Sequence, residues 1–256
     1  MPEGDTIFRA ATALRKALTG ARVTQMKSSV LAGPYPVGER IVSVEARGKN
    51  LVVRFENGRA LRTHMMMSGS WHLYRDGEKW QRPALQARLE LRADNGFCAV
   101  LFNAPIVEWL RAGETPLARL GPDATRDDFD AAGALARLRA LPDRAVGEAL
   151  LHQGALSGVG NVIKSEALFR CRQNPFAEVS SVPDAALEKL VADTHQLLVR
   201  NREHGPRTTR SSLDGGRFWV YGRSGKPCRI CGTAIRMRRQ GEAARSTYFC
   251  VACQNV

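Results

Sequence analysis

The chain has 256 residues, of which 38 are Lys or Arg and 25 are Asp or Glu, so its formal net charge is +13. Apolar residues make up 44% and charged residues 25%, a composition that is typical of globular proteins and excludes a disordered or fibrous chain. No apolar run approaches the ~18 residues of a membrane span, and the beginning MPEGDT lacks the apolar segment of a secretory signal. We therefore expect a soluble protein that stays inside the cell.

The first half of the chain predicts a helix followed by a β-rich domain. Residues 5–18 carry apolar side chains at helical spacing, and Gly20 ends the pattern. From about Val23 to Leu110, short apolar runs alternate with turn sequences, which favours a β-sandwich or barrel. The predicted strands are residues 41–46, 51–55, 60–65, 71–74, 87–91 and 98–102.

The second half predicts helices and then a basic tail. The predicted helices are residues 127–141, 144–152 and 162–169, and a further helix that Pro183 and Asp184 open. Residues 200–245 contain twelve Lys or Arg and three acids, which gives +9 of the total +13. A basic surface of this density attracts polyanions, because bound phosphates release condensed counterions. The alternative is a solvated face that only keeps the protein in solution.

Six cysteines fall into two groups. Cys98 and Cys171 stand alone, and we interpret them as buried, reduced thiols. The others form two CxxC pairs that are eighteen residues apart: Cys228, Cys231, Cys250 and Cys253. This spacing predicts one tetrahedral zinc with four protein ligands and no open position, which makes the metal structural. Disulfides are the alternative, and a reducing compartment disfavours them.

The N-terminus carries a possible nucleophile. Removal of Met1 would leave Pro2 as a secondary amine, and an α-amino group has a pKa near ~7.7–8.0, so part of it is unprotonated at neutral pH. Such an amine can form an iminium adduct with a carbonyl-like carbon, and Glu3 could transfer the protons that this chemistry needs. The alternative is an ordinary Met-Pro start in which Glu3 caps the following helix.

A glycine-containing turn precedes the apolar helix at residues 162–169. Gly158 and Gly160 let the main chain approach a ligand closely, and the start of the helix offers unpaired amides to an anion. The side chain of Asn161 could join this contact with a phosphate. The alternative is a simple turn between two helices, with Asn161 as the N-cap.

Four motifs occur in one order: MPEG, Arg47-Gly48-Lys49, the 156–169 segment and the four-cysteine tail. Together they resemble the formamidopyrimidine-DNA glycosylase/endonuclease VIII family of base-excision repair enzymes, over essentially the whole chain. The resemblance implies an α+β, multi-domain protein: a β-sandwich with an N-terminal helix, a helix–two-turns–helix domain and a four-cysteine zinc finger. The expected ranges are 1–113, 114–205 and 206–256. It also implies one structural zinc without a catalytic metal or organic cofactor, and a monomer that binds damaged double-stranded DNA.

The resemblance further implies catalytic roles for four residues. Pro2 is similar to the nucleophile that attacks C1′ of the damaged nucleotide, and Glu3 is similar to the acid that assists opening of the sugar ring. Lys49 resembles the lysine assigned to β-elimination. Arg245, five residues before Cys250, resembles the zinc-finger arginine that binds phosphate and is assigned to δ-elimination.

Other residues resemble DNA contacts of the family. Asn161, together with Gly160, resembles the phosphate-binding part of the two-turn motif, and Arg119 is a candidate backbone contact. Met67, with Met66 beside it, occupies the loop that fills the gap left by a flipped base, and an inserted apolar side chain replaces part of the lost stacking. The alternative is three core methionines, residues 65–67, on a strand, of which alternation lets at most two point inward.

Three departures favour the endonuclease VIII branch. Residues 102–108 stand where the formamidopyrimidine branch carries an Arg-Arg-Phe-Gly loop, Thr6 replaces a second glutamate, and the 204–221 link is short for a damage-covering loop. We therefore expect a bifunctional DNA glycosylase/AP lyase that removes oxidised pyrimidines and cleaves abasic sites by β,δ-elimination through a Schiff base on the N-terminal proline. A cytoplasmic, nucleoid-associated location follows. The alternatives are a formamidopyrimidine/8-oxoguanine-type glycosylase and a non-catalytic protein that binds damaged DNA.

Overall fold

The computed structural model describes residues 2–110, 117–203, 205–211 and 215–256. The chain divides into two compact units, residues 1–118 and 119–256. The expected boundary at Gly113 lies outside the described residues, so the division into three ranges stays a prediction. Within the described ranges, no helix is long and apolar enough to cross a lipid bilayer.

The first unit is a β-sandwich with a helix packed on it. Helix α1 (Gly4–Leu18) precedes eight strands: β1 (Val23–Ser28), β2 (Ile41–Arg47), β3 (Asn50–Phe55), β4 (Ala60–His64), β5 (Ser70–Arg75), β6 (Ala87–Ala93), β7 (Phe97–Phe102) and β8 (Ile106–Leu110). The strands form two antiparallel sheets, in the orders β1-β6-β7-β5 and β2-β3-β4-β8. Buried residues of α1 and of both sheets share one apolar core. The predicted sandwich is therefore confirmed.

Two strands were not predicted, and one predicted strand is too long. In β1 the buried residues are Val23 and Met26, three apart, because the register shifts between Val23 and Gln25 and breaks the two-residue period. Strand β8 is an edge strand of half-buried residues directly after Pro105. Strand β4 ends at His64, so Met65 belongs to the following loop.

The second unit contains helices and a zinc-finger hairpin. Its elements are α2 (Ala131–Arg139), α3 (Val146–Ala149), α4 (Asn161–Arg170), α5 (Asp184–Arg200), β9 (Arg236–Gln240), β10 (Arg245–Phe249) and α6 (Val251–Gln254). The predicted helix 127–141 begins only at Ala131, because the side chain of Asp130 caps it by accepting from Gly133 N at 2.8 Å. The predicted order of helices followed by a four-cysteine finger is confirmed.

The predicted helix 144–152 is a single turn, α3, and then the chain turns twice before α4. The side chain of Gln153 stabilises these turns: its amide nitrogen donates to the carbonyl oxygens of Leu151 and Val159, and its amide oxygen accepts from Gly158 N. An amide side chain that satisfies main-chain groups in this way competes with helical hydrogen bonds. The result is the helix–two-turns–helix arrangement that positions the start of α4.

Candidate active site and nucleic-acid interface

Pro2 and Glu3 lie immediately before α1. Pro2 is half-buried and Glu3 is completely buried. The main-chain oxygen of Glu3 accepts from Thr6 N at 2.9 Å and from Ile7 N at 3.1 Å, but its side chain makes no capping hydrogen bond. Glu3 is therefore the N-cap residue of α1 through its main chain, as the alternative expected, but its side chain takes no part in the cap. Its carboxyl group is held inside the protein, next in sequence to the candidate nucleophile.

Lys49 lies in the tight turn between β2 and β3. Arg47 pairs with Asn50, so Gly48 and Lys49 form a two-residue hairpin loop, and Gly48 has φ +57°, which favours glycine at this position. Lys49 is half-buried. Across the sheet, Asn50 pairs with His64 at the end of β4, so the lysine and the histidine lie close together.

His64 is a neutral side chain that the sequence reasoning passed over. Burial, together with the charges of Lys49 and Arg62, lowers its pKa to about 4. Its Nδ1 accepts a hydrogen bond from Met66 N at 3.0 Å, which requires an unprotonated nitrogen there. His64 therefore connects the position of Lys49 with the loop that carries the candidate wedge. The position of His64 directly before three consecutive methionines was the sequence signal that it contacts this loop.

The methionine loop, residues 65–69, joins one sheet to the other. Met65 is buried, whereas Met66 is 43% and Met67 is 63% exposed. The main chain of Met66 has φ +48°, a conformation that non-glycine residues rarely adopt. The alternative of three core methionines on a strand is wrong, because the strand has ended and only Met65 enters the core. Two large apolar side chains face solvent at the loop tip.

Asn161 is the first residue of α4, and Gly160 is its N-cap. The alternative of Asn161 as a simple N-cap is therefore wrong. The side chain of Asn161 is 7% exposed, and its Nδ2 lies 3.5 Å from Ser246 Oγ. Its Oδ1 is buried and has no hydrogen-bond partner among the described residues, which is unusual for a buried polar atom. At the start of α4, this oxygen can therefore accept a hydrogen bond from a further donor.

A buried lysine joins α4 to the zinc-finger hairpin. Lys164 is fully buried, and its Nζ donates to Ser246 O at 3.1 Å and to Thr247 Oγ1 at 2.7 Å. Because Ser246 follows Arg245 in β10, this contact brings the exposed Arg245 and the side chain of Asn161 to the same part of the second unit. Both residues were predicted from the sequence, whereas Lys164 was missed.

A buried glutamate of α4 binds residues 219–221, which lead to the zinc-finger hairpin. Glu166 is fully buried in α4, and its carboxylate accepts from the Thr209 hydroxyl and from the main-chain N–H groups of Trp219, Val220 and Tyr221, the last three at 2.8 Å. Charged acceptors make the stronger hydrogen bonds in proteins. A charged residue within a helix that is otherwise buried was the signal that sequence reasoning did not use.

Arg119 is exposed at the start of the second unit, beside the two-turn segment. Its carbonyl oxygen would lie 3.3 Å from a Cβ on Gly154, and Gly121 N donates to Gln153 O at 2.9 Å. The structure thus places Arg119 next to the turns that precede Asn161. Arg119 therefore adds a positive charge to the part of the second unit that carries Asn161.

The four cysteines of the tail fit a tetrahedral zinc ion. Their sulfur atoms all lie within 4.8 Å of one another; Cys231 Sγ is 3.4 Å from that of Cys250 and 3.5 Å from that of Cys253, and the Cys228–Cys253 separation is 3.9 Å. A tetrahedron with Zn–S bonds of ~2.3 Å has sulfur–sulfur edges of about 3.8 Å. The predicted structural zinc site is therefore confirmed.

The two remaining cysteines lie apart from this cluster. Burial raises the pKa of both thiols to about 11, so neither is a thiolate at neutral pH. Cys98 is buried as expected, whereas Cys171 is only half-buried and its sulfur lies 3.8 Å from Lys189 O. The expectation that both are buried is wrong for Cys171, because it follows the last residue of α4 at the edge of the helical core.

Three family models match consecutive parts of the chain. They are the formamidopyrimidine-DNA glycosylase N-terminal domain (residues 1–104), the formamidopyrimidine-DNA glycosylase H2TH domain (residues 120–212) and the zinc finger found in FPG and IleRS (residues 225–256). The chain belongs to the formamidopyrimidine-DNA glycosylase/endonuclease VIII family. It is therefore a DNA glycosylase and AP lyase of base-excision repair.

Individual relatives agree with this assignment. The chain is 40% identical to a "Probable endonuclease 8 2" of Streptomyces coelicolor, over 99% of this chain and 94% of the relative. It is 37% identical to "DNA-(apurinic or apyrimidinic site) lyase Nei2" of Mycolicibacterium smegmatis, over 99% of both chains. The solved MutM (Fpg) protein of Thermus thermophilus has the same fold, with a TM-score of 0.80, 27% identity and 99% of both chains covered.

Proposed function

We propose that this enzyme removes oxidised pyrimidines from double-stranded DNA in the nucleoid and cleaves the abasic site by β,δ-elimination through a Schiff base on Pro2. The observation that carries the mechanism is the placement of Pro2 and Glu3. The proline lies two residues before α1, and the buried side chain of Glu3 makes no capping hydrogen bond with that helix. A role in proton transfer explains a buried carboxyl group beside an amine better than a role in helix capping.

Four residues share the chemical steps. The amine of Pro2 attacks C1′ and displaces the damaged base, which leaves with the proton that the amine loses. Glu3 then delivers a proton to the ring oxygen as the C1′–O4′ bond breaks, which leaves an iminium ion at C1′. Lys49 assists removal of the C2′ proton, after which the 3′-phosphate leaves. Arg245 binds the phosphate that leaves in the second elimination, because a guanidinium ion pairs well with phosphate oxygens.

The DNA backbone is held by the second unit in this proposal. Asn161 and Gly160 at the start of α4, with Arg119 beside the two turns, contact phosphates there. The support is the amide nitrogen of Asn161, a hydrogen-bond donor whose contact with Ser246 Oγ is long at 3.5 Å, and the positive end of the α4 dipole. Arg245 lies next to Ser246, which contacts Asn161, so one phosphate group can meet both side chains.

The preference for pyrimidines rests on the connection between β7 and β8. Residues 103–105 alone join Phe102 to Ile106, so this connection has no room for a loop that reads the base opposite the lesion. Discrimination would then follow how easily the damaged nucleotide leaves the stack, which favours ring-saturated pyrimidines. The endonuclease 8 names of the relatives support the same branch.

Borohydride trapping tests the nucleophile. With an abasic-site duplex, borohydride should reduce the iminium adduct to a stable covalent complex. An N-terminal tag should abolish trapping, whereas Lys49→Ala should still trap. Equal trapping by tagged protein would transfer the role to Lys49 or another amine. A complete lack of trapping by protein shown by mass spectrometry to begin at Pro2 would favour the non-catalytic DNA-binding alternative.

Single-turnover excision on matched duplexes tests the substrate. Thymine glycol or dihydrouracil should be released faster than 8-oxoguanine, with weak dependence on the opposite base. Met67→Ala should slow release from duplex more than from single strands, because only a duplex leaves an orphaned base. Faster release of 8-oxoguanine opposite cytosine than of any pyrimidine lesion would place the enzyme in the formamidopyrimidine branch.

Salt titration tests the phosphate contacts. Arg245→Ala should weaken binding to damaged and undamaged duplexes alike and reduce the salt slope by about one unit. Arg236→Ala is the matched control, because Arg236 is exposed in the same hairpin but pairs with Phe249 at its other end. Asn161→Ala should also weaken binding to every duplex. An unchanged slope for Arg245→Ala would reject the assigned contact.

A further inference from the structure

Leu85 is the most exposed large apolar side chain among the described residues, with 97% of its surface accessible. It occupies the middle of a short 3₁₀ turn, Ala84–Gln86, directly before β6. A single exposed leucine carries little meaning by itself, since much of any protein surface is apolar. The position of Leu85 relative to the methionine loop is what indicates a functional role.

The strand register places Leu85 and the methionine loop at one end of the same sheet. Ser70 of β5 and Ala87 of β6 both pair with Phe102, the last residue of β7 between them. Neighbouring strands lie ~4.8 Å apart, so the beginnings of β5 and β6 are about 10 Å from each other. Leu85 precedes Ala87 by two residues, and Met67 precedes Ser70 by three. The two segments that carry these exposed apolar side chains therefore enter the sheet at the same end, about 10 Å apart.

Hydrogen bonds hold these loops in place. The main chain and side chain of Asn103 donate to the main-chain and side-chain oxygens of Gln86 at 2.9 and 3.0 Å. The hydroxyl of Ser68 donates to Asn103 O at 3.2 Å. Pro83 fixes the entry to the turn, and its carbonyl accepts from Gln86 N at 3.0 Å. A fixed turn thus presents Leu85 to solvent.

The chain around the turn is basic. Lys79 and Arg88 are exposed and Arg82 is half-buried, against the single acid Glu78 in residues 78–88. Basic side chains around an apolar tip suit a polyanion, because they bind phosphates while the tip contacts bases. This charge favours nucleic acid as the partner of the surface.

We propose that Leu85 is a second wedge residue, which enters the base stack beside Met67 when the damaged nucleotide leaves it. Leucine and methionine are among the side chains that proteins insert between base steps. Leu85 would supply, from a different loop, the apolar contact that the three-residue β7–β8 connection does not provide. The inference rests on the proposed function, since it assumes a flipped nucleotide.

Single-turnover release of a pyrimidine lesion from duplex and from single strands tests the role. Leu85→Ala should slow release from duplex about tenfold, equivalent to ~1.4 kcal/mol, and release from single strands by less than about twofold. Leu85→Met should stay near the wild-type rate, because it keeps an apolar side chain of similar size. Val42→Ala is the matched control, because Val42 is 52% exposed and lies in strand β2 of the other sheet. It should leave both rates unchanged.

A second readout separates insertion from folding. With 2-aminopurine opposite an abasic site, wild-type protein should change its fluorescence on binding, and Leu85→Ala should reduce that change while its melting temperature stays the same. An unaltered duplex rate for Leu85→Ala, or equal losses on duplex and single strands, would overturn the proposal. If wild-type protein fails to release pyrimidines, the proposed substrate is rejected. The lyase rates of Leu85→Ala and Val42→Ala on abasic-site duplexes then still test the role of Leu85.

Discussion

Replacing Glu166 by alanine removes the acceptor that holds residues 219–221 on α4. The carboxylate accepts three main-chain hydrogen bonds at 2.8 Å and one from the Thr209 hydroxyl, and it is fully buried. Each buried donor left without a partner costs about 1–3 kcal/mol, and water that enters the gap recovers part of this. We expect the free energy of unfolding of this unit to fall by about 3–5 kcal/mol, since four donors each lose their partner at a cost near the lower end of that per-donor range.

Urea unfolding and amide hydrogen exchange measure this loss. Trp219 packs against Phe169 of α4 at a centroid distance of 5.8 Å, with the ring planes tilted by 31°, so its fluorescence reports release of the segment. The amides of residues 219–221 should lose protection first, because their acceptor is gone. Glu188→Ala is the matched control, since Glu188 is an exposed acid on α5. A loss below about 1 kcal/mol, or unchanged protection of the three amides, would refute the assigned role of Glu166.

Three further changes probe the loops and the metal. Gly69→Ala should lower stability by about 1–3 kcal/mol in thermal melts, because its Cβ would lie 2.7 Å from Met65 O and 2.8 Å from Met65 Cα; an unchanged melt would contradict this. Because the pKa of His64 is lowered to about 4, its contribution is complete above the unfolded pKa of ~6.5 and is lost as the pH falls toward 4; His64→Asn should flatten this part of a pH series of urea midpoints. Metal analysis should find one zinc per chain, and Cys250→Ser should unfold the hairpin and weaken duplex binding; normal binding without zinc would be the contrary result.

Local patterns predicted the parts of the fold that depend on neighbouring residues. Helix α1 needs only apolar side chains at helical spacing, and it was predicted to within one residue of its start at Gly4. The zinc ligands were predicted because each CxxC pair places two sulfur atoms in one turn. The sandwich followed from evenly spaced short strands and turn signals.

Longer-range contacts explain what the sequence did not predict. Lys164 and Thr247 meet across 83 positions of sequence, and Glu166 contacts residues 53–55 positions away. A window of neighbouring residues contains no sign of such partners. In β1 the shift near Gln25 breaks the alternation that strand prediction relies on.

The buried charges of α4 explain how the zinc-finger hairpin is held in position. Lys164 binds the β10 strand and Glu166 binds residues 219–221, so one helix holds the segment that contains the zinc ligands at two separate points. Because both contacts are buried, losing either one would leave an unpaired group in the protein interior, which is costly. Zinc then fixes the shape of the hairpin, while α4 fixes where the hairpin lies. Since Asn161 begins the same helix, the geometry between its amide and Arg245 is set by these buried contacts.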